Sequence, residues 1–168
     1  MRAEWLPKGE MYVVLGALSA ENRLACEISL ATGLRINDVL ALTPEKVSKQ
    51  RFTLREEKTG KTRRVRLPAE LVKRALLISG QHYIFEHRLN GRRHRTRQAV
   101  FKDLKKACAN FGIKKNVAPH SLRKIYAVEE YERTGDLKKV QKLLNHSNEA
   151  VTMLYAMANA VRKKAKKG

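Results

Sequence analysis

The types and spacing of His120 and Arg123 suggest that these two residues could bind an anion. They lie in the run Pro119-His120-Ser121-Leu122-Arg123, and a separation of three places an imidazole and a guanidinium on one face of a helix. Such a pair can bind an anion. Because H-x-x-R is also common by chance, the pair taken alone favours an ordinary surface histidine and arginine.

Arg35 is a second candidate, since apolar residues surround it on both sides. An arginine in that setting is expected to be partly buried and to need an anionic partner. One interpretation is a structural ion pair with Asp38. The other is a guanidinium fork for a phosphate, oriented by Asp38 or a neighbour.

Three further residues with polar side chains, Lys58, His146 and Tyr155, are considered as candidates. Lys58 lies in a turn between two predicted strands. Taken alone, His146 is interpreted as a cap between two helices, and Tyr155 as a core aromatic residue of an amphipathic helix.

The metal-binding motifs that would supply an alternative are missing from the sequence. No carboxylates have the spacing of a two-metal nuclease, and neither H-E-x-x-H nor a phosphate-binding glycine loop occurs. If the protein cuts DNA, cationic side chains must do the work of metal ions. We therefore expect no metal and no cofactor.

The charge of the chain points to an anionic partner. Its 168 residues include 36 Lys and Arg against 16 Asp and Glu, a formal charge of +20. Basic blocks occupy 58–66, 88–97 and 161–168. Aromatic residues are only 6% and do not alternate with these blocks, which favours duplex DNA over single strands. The DNA-binding candidates are Lys61, Arg63, Arg64, Arg92, Arg93, Arg95, Arg97 and Lys124.

Composition also bounds the compartment. No apolar run approaches the roughly 18 residues of a membrane-spanning helix. Cys26 and Cys108 are the only cysteines and do not form a C-x-x-C pair, so a disulfide scaffold or a cysteine zinc site is not expected. These features predict a cytoplasmic protein without membrane association.

The elements that must position these residues are mostly helices, with one small antiparallel sheet, in a single domain over 1–168. Apolar periodicity and capping residues predict helices at 10–18, 20–32, 71–78, 97–111, 120–133 and 137–144, a short one near 39–42, and a last one from Ser147 to Tyr155. Alternating apolar residues predict strands at 52–56 and 62–67. The basic tail, 160–168, is expected to be flexible.

Together these segments resemble the tyrosine recombinases, the phage-integrase family. ATGLRINDVLAL around Arg35 resembles the family's first arginine motif, and PHSLR resembles its H-x-x-R box. LLNHS, followed by Tyr155 at the family's spacing, resembles the last box, and KTGKTRRVRLP resembles the lysine hairpin. Their order and approximate spacing also agree, and WLPKGEM resembles the usual opening of the catalytic domain.

The resemblance implies the α+β fold of the recombinase catalytic domain and a complete set of roles. Duplex DNA is the implied substrate, cut and rejoined without metal or ATP, and the family assembles as a tetrameric synapse. Arg35 and Arg123 would clamp the scissile phosphate, Lys58 (or Lys61) would be the general acid, His120 the acid/base for the tyrosine, His146 a hydrogen-bond donor, and Tyr155 the nucleophile that forms a 3′-phosphotyrosyl link.

Some features depart from the family pattern. Asn145 stands where glycine is usual, and Lys124 where histidine or arginine is commoner. Since Arg35 lies close to the first residue, we expect the usual N-terminal DNA-clamping domain to be absent. Two alternatives remain: a type IB topoisomerase with the same chemistry, and a non-catalytic regulator that binds integrase sites.

Overall fold

The structure, a computed structural model, describes residues 3–144. The predictions for His146, Tyr155, the helix after Ser147 and the tail 160–168 lie outside the described residues.

Helices make up most of the described chain, and two antiparallel pairs of strands interrupt them. The helices are α1 (Lys8–Gly16), α2 (Ala20–Thr32), α3 (Ile36–Leu40), α4 (Pro44–Ser48), α5 (Ala69–Ile78), α6 (Arg97–Asn110), α7 (Pro119–Thr134) and α8 (Leu137–Leu143). The strands are β1 (Arg51–Arg55), β2 (Thr62–Arg66), β3 (Glu86–His87) and β4 (Asn90–His94). The expected mainly helical α+β class is confirmed.

Local sequence signals place several helix ends where predicted. Gly33 ends α2 and Gly135 ends α7, both in the left-handed region, at φ 66° and 64°. The side chains of Thr43, Thr96 and Asp136 each accept a backbone N–H in the first turn of α4, α6 and α8.

Four helices begin earlier than predicted, among them α3 at Ile36 rather than near 39 and α7 at Pro119 rather than at 120. The predicted starts at 10 and 71 are wrong by two residues, since α1 begins at Lys8 and α5 at Ala69. Pro7 and Pro68 hold the preceding positions with φ near −53° and −55°, values that lead directly into a helix. The prolines, rather than the first apolar residues, mark these starts.

The helix α2 lies at the centre of the described chain and contacts α1, α3, α5, α6 and α7. Every residue from Leu24 to Leu30 is buried, whereas the sequence pattern predicts a single apolar stripe of Leu24, Ile28 and Ala31. The prediction is wrong for Ala31, which is exposed. It is also wrong for Phe111, the last residue of the stripe predicted for α6, which is 48% exposed because α6 ends one residue before it. A smaller apolar cluster joins α7 to α8.

The strands β1 and β2 pair from Arg51 opposite Arg66 to Arg55 opposite Thr62. Burial alternates along both strands, so one face packs on the core. Lys58 lies in the connecting turn, as predicted.

A second sheet, β3 paired with β4, corrects the expectation of a single small sheet. The side chain of Glu86 accepts the backbone N–H of His82 and fills the space where a β-carbon on Gly80 or Gly91 would lie. This hairpin is held by backbone pairing and one carboxylate rather than by alternating apolar residues, which is why the apolar pattern did not reveal it.

No helix within residues 3–144 is long and apolar enough to cross a membrane.

Candidate functional site

One open cleft of about 420 Å³ brings together the four described residues with predicted catalytic roles. Arg35 comes from the turn after α2, Lys58 from the β1–β2 turn, and His120 and Arg123 from the first turns of α7. Arg97, at the start of α6, lies in the same wall. We call this site the basic cleft; its other lining residues are Ile36, Asn37, Asp38, Glu57 and Pro119.

The turn at Gly33 sets the position of Arg35. A β-carbon on Gly33 would lie 2.3 Å from Cδ1 of the Tyr126 ring, so only glycine permits α2 to end so close to α7. The Ser29 hydroxyl donates to the carbonyl of Leu34, at 2.7 Å, and closes the same turn. Arg35 therefore leaves a rigid, buried corner rather than a loose loop.

Arg123 is anchored to that corner. Its side chain is 3% exposed, and Nη1 donates to the carbonyl of Gly33 at 2.7 Å. A longer bond of 3.4 Å runs from Nη2 to the carbonyl of Leu144. Burial, and then the charge of Arg35, lower the pKa of Arg123 to about 10, so it stays cationic at neutral pH.

Arg35 pairs with Glu56, a partner that the sequence analysis missed. Arg35 Nη1 lies 2.6 Å from Oε2 of Glu56, whose side chain is fully buried. Of the two interpretations given for Arg35, the ion pair with Asp38 is not formed, because Asp38 instead accepts the backbone N–H of Glu57 at 3.0 Å. Both carboxylates therefore connect the arginine corner to the turn that carries Lys58.

Arg63 corrects another prediction. It is only 8% exposed and donates to the carbonyls of Thr32 and Gly33, the second at 3.2 Å. Its Nη1 also lies 3.7 Å from Glu56, and burial lowers its pKa. Arg63 is part of the interior that supports the cleft, not a surface contact for DNA.

The alternation of buried residues along β1 and β2 indicates both the missed residue Glu56 and the unexpected burial of Arg63. Glu56 follows Phe52 and Leu54 at a period of two, and Arg63 precedes Val65 at the same period. Extending each buried face by one step places a carboxylate and a guanidinium inside.

The buried charges leave a positive balance beside the cleft. Burial and the charge of Glu56 raise the pKa of Asp38, although the N–H of Glu57 and the guanidiniums of Arg35 and Arg123 oppose this. Three guanidiniums, counting Arg63, face two carboxylates, so the group is cationic whether or not Asp38 is protonated. It favours an anion in the cleft.

The other basic candidates differ in exposure. Arg95 is partly buried and donates from Nε to Oδ1 of Asn22 at 2.6 Å. Lys124 donates to the carbonyl of Ala3 and ties the N-terminal segment to α7. The exposed candidates are Lys61, Arg64, Arg92, Arg93 and Arg97. Of these, Arg97 alone is a lining residue of the basic cleft.

Comparison with known families gives a match along most of the chain. Residues 9–162 match the model described as the phage integrase family. A tyrosine recombinase of Thermosipho africanus is 32% identical over 162 residues, which cover 90% of this chain and 56% of that protein. The chain spans about half the length of the first curated relatives it matches.

Solved structures show the same fold. The XerA recombinase superposes with a TM-score of 0.72 at 25% identity, covering 99% of this chain and 65% of the other. A lambda integrase tetramer bound to a Holliday junction gives a TM-score of 0.71 at 21% identity, covering 88% and 48%.

Proposed function

Because the chain belongs to the phage integrase family, we propose that it carries the DNA-cleaving and rejoining site of a tyrosine recombinase. The observation that carries this proposal is the pair Arg35 and Arg123, held by one buried corner in a cleft with Lys58 and His120. Two fixed guanidiniums match the non-bridging oxygens of one phosphate. They stabilise the negative charge that gathers on these oxygens in the transition state without a metal ion.

The reaction we propose is a transesterification. The Tyr155 oxygen attacks phosphorus, a P–O bond to the tyrosine forms, and the P–O bond to the 5′ oxygen breaks. The tyrosine proton goes to His120, and Lys58 gives a proton to the departing oxygen. Because the phosphodiester energy is kept in the 3′-phosphotyrosyl link, attack by a 5′ hydroxyl reverses the reaction without ATP. His146 donates a further hydrogen bond to the phosphate.

Between the two candidate lysines, we assign the general acid to Lys58. It lines the basic cleft together with both arginines, whereas Lys61 does not. The exposed Arg64, Arg92, Arg93 and Arg97 are proposed to contact flanking phosphates.

The partners we propose are duplex DNA and further copies of the same chain. The lambda integrase structure is a tetramer on a Holliday junction, and its similarity in fold supports the same assembly here. A cytoplasmic setting is part of the proposal, supported by two unpaired cysteines, Cys26 and Cys108, that are both buried.

Covalent trapping tests the proposal directly. The probe is a pool of nicked duplexes with a randomised central sequence, in which release of a short 5′ fragment prevents rejoining. The wild-type chain, in EDTA, is expected to form a denaturant-resistant protein–DNA adduct. Tyr155→Phe is expected to bind the pool equally well and form none.

Tyr12→Phe, at an exposed tyrosine of α1, is the matched control and is expected to behave as wild type. Binding without any adduct, an adduct with Tyr155→Phe, or an adduct that requires magnesium would each contradict the mechanism. Relaxation of supercoiled plasmid without paired sites would assign the same chemistry to a topoisomerase.

A further inference from the structure

We propose that Glu56 and Thr59 are positioning residues that set the Lys58 turn against the phosphate-binding arginines. This inference rests on the proposed function, because it concerns how the general acid reaches the departing oxygen. Neither residue is expected to touch DNA; each acts through a neighbour.

The contacts that carry the inference converge on one carboxylate oxygen. Oε2 of Glu56 accepts from Arg35 Nη1 at 2.6 Å and from the Thr59 hydroxyl at 3.0 Å. Thr59 is the residue directly after Lys58. A single buried atom therefore connects the phosphate clamp with the segment that holds the general acid.

The turn is also closed around this carboxylate by its own backbone. The N–H of Glu56 donates to the carbonyl of Lys61 at 2.9 Å, and that of Gly60 donates to the carbonyl of Glu56 at 2.8 Å. The Thr59 hydroxyl further accepts the N–H of Lys61 at 3.3 Å. Together with the Asp38 bond to the N–H of Glu57, these contacts fix the chain on both sides of Lys58.

Charge neutralisation alone does not explain the arrangement. Glu56 already faces Arg35 and Arg63, which satisfies its charge in the interior. The hydroxyl of Thr59 adds no charge, so its contribution is geometric: it fixes the turn relative to Arg35. A shift of about 1 Å in a catalytic group can cost ~10²-fold in rate.

A substrate with sulfur in place of the 5′ bridging oxygen distinguishes loss of Lys58 positioning from a general loss of phosphate binding or folding. When its P–S bond breaks, the electron pair leaves on sulfur as a thiolate, which needs no proton because a thiol is far more acidic than an alcohol. Any defect that arises through Lys58 is therefore relieved on the sulfur substrate, whereas a defect in phosphate binding persists.

The experiment compares single-turnover cleavage of oxygen and sulfur substrates, using a duplex recovered from the randomised pool. Thr59→Val is expected to cut the oxygen substrate about tenfold more slowly than wild type, since it removes a hydrogen bond to a charged group. It is expected to cut the sulfur substrate at nearly the wild-type rate. Glu56→Gln is expected to be impaired on both substrates, because it also weakens the hold on Arg35.

Two matched variants control for loss of bulk and of the hydroxyl. Thr59→Ser keeps the hydroxyl and is expected to retain the oxygen rate. Thr62→Val makes the same change at an exposed position of β2 and is expected to match wild type. Equal slowing of Thr59→Val on both substrates, or no slowing beyond Thr62→Val, would overturn the inference.

Amide hydrogen exchange in the DNA-free chain gives a readout that does not depend on activity. Thr59→Val is expected to speed exchange at the amides of 57–61 while the core helices keep wild-type protection. Unchanged exchange in this turn would overturn the inference even if the chain is active. Failure of the wild type to cleave either substrate would instead overturn the proposed function, and the exchange result would still decide the coupling.

Discussion

The guanidinium of Arg35 serves two partners in this site. Its Nη1 binds Glu56, and the side chain lines the basic cleft, where the proposed phosphate lies. Arg35→Lys keeps the charge but cannot pair with Glu56 and fork onto phosphate oxygens together. We expect cleavage to fall by ~10²–10³.

The single-turnover rate at which Arg35→Lys cleaves a duplex recovered from the randomised pool measures this loss. Arg66→Lys, at an exposed end of β2, is the control and is expected to retain activity. Near wild-type cleavage by Arg35→Lys would reduce Arg35 to a structural ion pair.

Asp38 makes stability depend on pH. Its folded pKa is raised, chiefly by burial, so between the ordinary value of about 3.9 and the folded value the native state holds more protons than the unfolded state. The free energy of unfolding therefore falls as pH rises through that window. Asp38→Asn removes this titration. Its free energy of unfolding is therefore expected to fall least below that of the wild type, or to exceed it, at the highest pH of the window.

Urea unfolding of both proteins at a series of mildly acidic pH values measures the difference. Glu45→Gln is the control of opposite sign, because the bond to Lys49 lowers the pKa of the exposed Glu45 carboxyl. Its effect is expected to be small, as for a screened surface pair. A wild-type advantage over Asp38→Asn that grows with pH would contradict the prediction.

For single residues, the sequence predicted which side chains form the candidate site better than it predicted their ion-pair partners. Arg35, Lys58, His120 and Arg123 could be grouped through the family resemblance, and they lie in one cleft. Glu56 could not be grouped in this way, because its role depends on which side chain meets it across the fold. Asp38 is the carboxylate nearest to Arg35 in the sequence, but Arg35 forms its ion pair with Glu56.

Among the elements, the end of α2 carries the sharpest constraint. Gly33 and Gly135 both end helices in the left-handed region, but of these two only Gly33 is packed against an aromatic ring. Within residues 3–144, no heavy atom beyond the chain neighbours lies within 4 Å of the β-carbon position at Gly135. Gly135→Ala is expected to cost roughly 1–2 kcal/mol from backbone conformation alone. Gly33→Ala should cost a further ~1–3 kcal/mol from overpacking against Tyr126.

Urea denaturation of the two variants provides the comparison. Equal losses would show that Tyr126 moves aside without cost. A larger loss for Gly33→Ala should also be accompanied by weaker DNA cleavage, since the carbonyl of Gly33 holds Arg123.

Helices were predictable because caps and periodicity are local, whereas the second hairpin was not. β3 has only two residues, and β4, whose residues are exposed or partly exposed, has no apolar alternation. The Glu86 side chain lies beside Gly80 and Gly91, a contact that apolar periodicity does not indicate.

For the whole molecule, the charge of +20 predicts DNA binding that is strongly salt-dependent. Six to ten phosphate contacts would mean a loss of ~10³–10⁵ in affinity between 50 and 200 mM salt. Removing one contact, by Arg92→Ala or Arg93→Ala, should lower the slope of log affinity against log salt by about one. Because phosphate contacts carry no direct sequence information, this chain alone should discriminate weakly between duplexes.

Titration of a recovered duplex and a scrambled one at several salt concentrations tests both statements. Lys139→Ala, on α8, is the control and should leave the slope unchanged. Affinity that ignores salt, or strong discrimination by this chain, would contradict the prediction.

The bond between the Arg123 side chain and the carbonyl of Gly33 joins residues 90 positions apart. During synthesis on a ribosome, the corner at Gly33 emerges long before α7 exists to complete it. The proposed pair of guanidiniums can therefore form only when most of the chain has left the exit tunnel. An unfinished translation product, or one truncated by a protease before α7, would lack the second guanidinium and with it the proposed phosphate clamp.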